Sequence, residues 1–143
     1  VGWKVSVRGS QAVESGPRGK MPEPSRQVSI SLAHGTLKTV LGERDIRFIS
    51  DEKGATKHET GSVALAYRLD DSSVLLSDEA GLTFWRSTPA GLNRVGRWAL
   101  GSSTARIFRT GDTLLLVGRG YGFLKARLLY DENGIQSAAQ TLQ

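Results

Sequence analysis

Cysteine is absent from this 143-residue chain, and there are only one methionine, three tryptophans and two histidines. The missing cysteine excludes a disulfide, a thiolate metal site and a cysteine nucleophile. It fits the periplasm or the cell exterior, and the expectation leans there without excluding the cytoplasm. No apolar run approaches the roughly 20 residues that span a bilayer. The opening VGWKVSVRG lacks a charged head followed by an apolar stretch, so no secretory leader is read there and a mature or trimmed product is expected.

Other chemistries fail on spacing. His34 and His58 stand apart, with no carboxylates at metal-ligand spacing. G-x-S-x-G is missing, so no serine elbow is present. Asp-Glu pairs occur at 51–52, 78–79 and 131–132. Glycosidase carboxylates face each other across about 5–9 Å, and neighbours on a turn do not. Three glycines, Gly118, Gly120 and Gly122, alternate in VGRGYGFLKARLLY. A dinucleotide loop needs a wider third spacing and a helix to follow, whereas FLKARLLY reads as a strand. The segment is read as a hairpin turn. No catalytic residue, metal or cofactor is assigned, and a non-enzymatic role is favoured.

The net charge is +5, but it is unevenly spread. Residues 1–26 hold five Lys/Arg against two Asp/Glu, and residues 27–143 hold fourteen against twelve. A nucleic-acid groove needs its cations on the folded body, so nucleic acid is not the expected partner and a nucleic-acid-binding β domain is kept only as an alternative.

What is present is strand pattern. Residues 9–26, GSQAVESGPRGKMPEPSR, contain three of the four prolines and read as a linker, preceded by a lone strand at Trp3–Arg8. From Gln27 onward no helical stripe occurs. Twelve short runs follow, from QVSISLA to IQSAAQTL, separated by Gly, Asp, Asn and Pro signals. A spacing of about 8–12 residues per strand and turn belongs to all-β folds.

SDEKGAT (Ser50–Thr56) recurs as SDEAGLT (Ser77–Thr83), identical at five of seven positions, and YDENGIQ adds a third Asp-Glu-x-Gly. DSSVLLS (Asp71–Ser77) lies 40 residues before GDTLLLV (Gly111–Val117). About 40 residues carrying four strands is the size of a propeller blade. The predicted fold is all-β, with antiparallel four-stranded repeats in propeller-like order over 27–60, 61–100 and 101–143. A β-sandwich or open β-barrel is the alternative.

SDEAGLTFW (Ser77–Trp85) and WRSTPAGL (Trp85–Leu92) resemble the Asp-box, or bacterial neuraminidase repeat, S-x-D-x-G-x-T-W. GDTLLLVGRGYGFLKARLLYDENG looks like the blades of the photosystem II assembly-factor class of propellers, a similarity covering about 27–143. The Asp position holds Glu79 in one copy and Pro89 in the other. In that family the motif ties a turn to its neighbouring strand, so the resemblance implies a fold and not catalysis. The alternative it implies is a sialidase-like glycan-binding or hydrolase domain, with Arg86, Arg97, Arg106 and Arg127 holding a substrate carboxylate.

Binding candidates are Trp85, Arg86, Arg119, Tyr121 and Arg127, because exposed aromatics beside arginine are common interface composition. Strict alternation turns either Phe84 or Trp85 outward, against which stands the favoured reading that these aromatics pack between blades. Trp98 is read as core. Three blades do not close a ring, so the expected role is a protein-binding or assembly module that pairs with itself or docks on a further part of a larger propeller.

Overall fold

The computed structural model describes residues 26–131 and 134–138. The strand expected at Trp3–Arg8 and the linker over 9–26, Arg26 apart, lie outside these residues. Among the described residues the chain is all-β. No helix there is long and apolar enough to cross a membrane.

Three antiparallel sheets follow one another, each a four-stranded meander in chain order. The first contains β1 (Gln27–Leu32), β2 (Gly35–Val40), β3 (Asp45–Ser50) and β4 (Gly54–Glu59). The second contains β5 (Leu65–Arg68), β6 (Ser73–Asp78), β7 (Gly81–Thr88) and β8 (Gly91–Ala99). The third contains β9 (Thr104–Thr110), β10 (Thr113–Gly118), β11 (Gly122–Asp131) and β12 (Gly134–Ala138). Each of the twelve runs read from the sequence overlaps one strand.

Turn chemistry explains the punctuation, and it separates two motifs that look alike. In SDEKG the Ser50 hydroxyl accepts from the amides of Glu52 and Lys53 at 3.2 and 3.1 Å, closing the β3–β4 hairpin. In SDEAG the Asp78 carboxylate takes that role, accepting from Ala80 and Gly81 at 2.8 and 3.1 Å, and the hairpin joins β6 to β7. Ser50 pairs with Gly54 in one ladder and Asp78 with Gly81 in the other. One residue pattern therefore closes loops of two lengths at inequivalent places. The 40-residue spacing behaves differently: DSSVLLS leads into β6 and GDTLLLV into β10, each the second strand of its sheet.

The sheets stack face to face, with the second in the middle. Leu32, Leu37, Ile46 and Phe48 from the first sheet meet Val74, Leu76, Trp85 and Leu92 from the second. On its other face, Leu75, Leu82 and Phe84 meet Ile107, Leu114, Leu116, Ala126 and Leu128 from the third. A strand covered on one face alternates, as QVSISL does, while a strand covered on both reads as a continuous apolar run. β6, SVLLSD, is such a run, and its first five residues are buried.

This corrects the expectation for β7. Phe84 and Trp85 do point to opposite faces, but both faces are covered and both residues are buried. Polar links pin the layers. Gly42 N–H donates to the Val63 carbonyl, and Val63 N–H donates back to Glu43, at 2.8 and 2.9 Å. The Ser77 hydroxyl accepts from Thr104 N–H, and the Arg109 guanidinium donates to the Leu69 carbonyl.

Candidate functional site

The outer face of the third sheet is the surface that stands out. Along β9, β10 and β11 the inward residues Ile107, Leu114, Leu116, Ala126 and Leu128 are buried against the second sheet. The alternate residues point away from it. Cross-strand pairing sets them in rows: Arg106, Val117 and Phe123; then Phe108, Leu115 and Lys125; then Thr110, Thr113 and Arg127. Leu129 follows further along β11. Phe108, Phe123 and Leu129 are 50%, 72% and 45% exposed. Three cations ring these apolar groups, and β9–β11 place no carboxylate among them over the described side chains. An apolar patch rimmed by polar groups marks an interaction surface on a protein otherwise able to bury such residues.

The opposite end of the stack differs. The outer face of the first sheet presents Ser29, Ser31, Thr36, Lys38, Asp45, Arg47, Lys57 and Glu59, with Ile49 the exposed large apolar residue. Lys38, Arg47 and Lys57 sit directly across from one another on β2, β3 and β4. Lys57 pairs with Asp45 at 3.5 Å.

A cleft of about 310 Å³ opens where the first and second sheets meet, lined in part by Arg44, Glu79, Thr83, Trp85, Arg94 and Arg97. Its arginines owe their placement to a bulge. The β7–β8 ladder pairs Thr83 with Arg97 and Phe84 with Gly96, then slips so that Trp85 pairs with Arg94. Val95 is the extra residue, and Arg94 and Arg97 consequently share the face of Thr83 and Trp85. A regular strand would put residues three apart on opposite faces. Arg44 is committed to Glu79 at 3.0 Å. Hydrogen bonds from its own and Ser62's backbone amides, and then from Arg44, hold the Glu79 carboxyl below its ordinary range. His58 reaches from β4 to meet the Trp85 ring edge-on, with centroids 5.6 Å apart. Burial lowers its pKa from 6.5.

The residues singled out from sequence fall in several places. Arg127 lies on the outer face of the third sheet. Trp85 is 5% exposed and forms part of the core, with only its small remaining surface reaching the cleft. Arg86, its neighbour on β7, projects from the opposite face and pairs in the ladder with Ser73 and Asn93. Arg119 and Tyr121 form the β10–β11 turn. Tyr121 is half-buried, its hydroxyl 2.5 Å from that of Thr104, and burial raises its pKa. The turn also accounts for the three glycines. A Cβ on Gly118 would collide with the Tyr121 ring, and Gly122 holds φ +79°. The Arg119 and Gly120 amides donate to the Ser103 carbonyl and the Ser102 hydroxyl, so both are engaged within the protein. Arg86, Arg97, Arg106 and Arg127 spread over three faces and do not converge.

Sequence reading missed Phe108, Phe123 and Leu129, although the continuous TLLLV of β10 carried the signal. Among the described residues, no group of three or more His, Asp or Glu could hold a metal ion. No family model, curated protein or solved structure matches the chain.

Proposed function

We propose that this chain is a non-catalytic protein-binding or assembly module, with its sheets in propeller-like order. The observation that carries the reading is the outer face of the third sheet, where Phe108, Phe123 and Leu129 stand exposed among Arg106, Lys125 and Arg127. The propeller order is supported by three meanders in sequence and by their stacking. β5 lies against β9 and β8 against β12, so the second and third sheets run in the same direction. The Asp-box comparison draws support from SDEAGLTFW, where the Asp78 carboxylate closes the turn and the Ser77 hydroxyl ties it to β9.

An apolar-surface dye tests the reading. The folded chain is expected to bind it, and Phe123→Asp combined with Phe108→Asp should remove most of the signal while leaving circular dichroism unchanged. A folded chain that binds no dye, or binds it equally after both substitutions, would reject this face as the binding surface.

A further inference from the structure

We infer that the third sheet's outer face is covered by a β-sheet of another polypeptide bearing aliphatic and acidic side chains, and that a second copy of this chain does not supply it. The inference rests on reading that face as a binding surface. Three observations identify the occupant.

The first is the pattern of β10. TLLLV is a continuous apolar run like SVLLS of β6, which lies 40 residues earlier at the same place in its sheet. On β6 the pattern matches cover on both faces, because a four-stranded sheet packs on each. On β10 one face carries Leu114 and Leu116 against the second sheet, and the other carries Leu115 and Val117, half-buried, with no sheet over them among the described residues. Side chains patterned for two covers have one. The kind of cover they suit is the kind β6 already has, a sheet face.

The second is charge. Arg106, Lys125 and Arg127 surround the apolar centre, and from Thr104 to Leu129 the strands β9–β11 contain no carboxylate to pair with them. Burying three cations against an apolar or cationic face leaves them without counter-charges, which is costly. A face with Glu or Asp at its rim and aliphatic groups at its centre satisfies both features.

The third excludes self-pairing. A head-to-tail ring of copies would set this face against the first sheet's outer face. That face carries Lys38, Arg47 and Lys57 in a cross-strand row against Asp45 and Glu59, so cations would meet cations. Its serines and threonine would also meet Phe108 and Phe123. The two ends of the stack mismatch in sign and in polarity.

The experiment uses the whole chain and two cyclised β-hairpins, one displaying alternating Leu and Glu on a face, the other Leu and Lys. Sedimentation of the chain alone is expected to show a monomer at low and at high salt. The Leu/Glu hairpin should bind at least tenfold more tightly than the Leu/Lys hairpin, with the gap closing as salt is added. Phe123→Asp, a change at an exposed position that leaves the core intact, should abolish the binding. Self-association lost in Phe123→Asp, or equal binding of the two hairpins, overturns the acidic-partner inference while keeping the face as a binding surface. Failure of both hairpins to bind, together with a silent apolar dye, overturns the binding surface itself.

Discussion

The Ser77 hydroxyl accepts a hydrogen bond from the Thr104 amide at 2.7 Å, joining the second and third sheets across 27 positions. Both residues are buried. Ser77→Ala strips a buried N–H of this acceptor, where water does not readily replace it, and should cost about 1–3 kcal/mol. The expected result is a lower urea midpoint with an unchanged slope. The look-alike Ser50 closes only its own turn, so Ser50→Ala should cost less.

Leu116 and Phe123 test which face of the third sheet is covered in the isolated chain. Leu116 is fully buried against the second sheet, whereas Phe123 is largely exposed. Leu116→Ala should destabilise by about 2–5 kcal/mol through lost transfer energy and a cavity. Phe123→Ala should stay within about 0.5 kcal/mol, as surface changes do. Comparable losses in thermal or urea unfolding would mean that both faces are covered within this chain.

His58 gives a pH dependence of known sign. Its pKa is lowered from 6.5 by burial, so the folded state favours the neutral ring. The unfolded chain then binds more protons as pH falls, and stability drops from about pH 6.5 downward through the folded value. Unfolding midpoints from pH 8 to 5 should fall less steeply in His58→Gln than in the parent. Identical slopes would remove His58 as the cause.

Arg94 and Arg97 share one face beside Trp85, so two like charges are held near each other. Like charges brought together on a sheet face are destabilising. Arg94→Gln or Arg97→Gln should therefore raise stability by a few tenths of a kcal/mol at low salt, with the gain fading as salt is added. Loss of stability in either variant would mean that the guanidinium packs or pairs usefully.

Gly118 backs the Tyr121 ring so closely that an added Cβ would lie 2.1 Å from it. Gly118→Ala must displace the ring and with it the Tyr121–Thr104 hydroxyl contact. A cost of about 1–3 kcal/mol is expected, as for overpacking. Ultraviolet titration should also show the tyrosine pKa, raised by burial in the parent, returning toward 10.0.

The strands were legible because Gly, Asp and Asn punctuate the chain where it must turn, and each apolar run between them fits a pleated, packed surface. What alternation could not show was how many layers there are. Trp85 was expected to compete with Phe84 for one interior, whereas the second sheet has an interior on each side. RVGR alternates cleanly as text, and only the ladder reveals Val95 as an inserted residue that brings two arginines together. SDEKG and SDEAG look like copies of one turn, but hydrogen-bonding choices at Ser50 and Asp78 give them different loops. The exposed face depended on counting covers, which requires knowing what lies on each side of β10.

The central position of the second sheet has a consequence for how the molecule opens. Its strands β6 and β7 lie between two layers, while among the described residues the first and third sheets are each packed on one face only. Local openings start where few buried contacts resist them, so the outer meanders should detach before the middle one. Hydrogen exchange is then expected to be slowest at Val74–Leu76 and Leu82–Trp85 and graded outward in both directions. The molecule would come apart from its ends toward a kernel that is the last element to exchange.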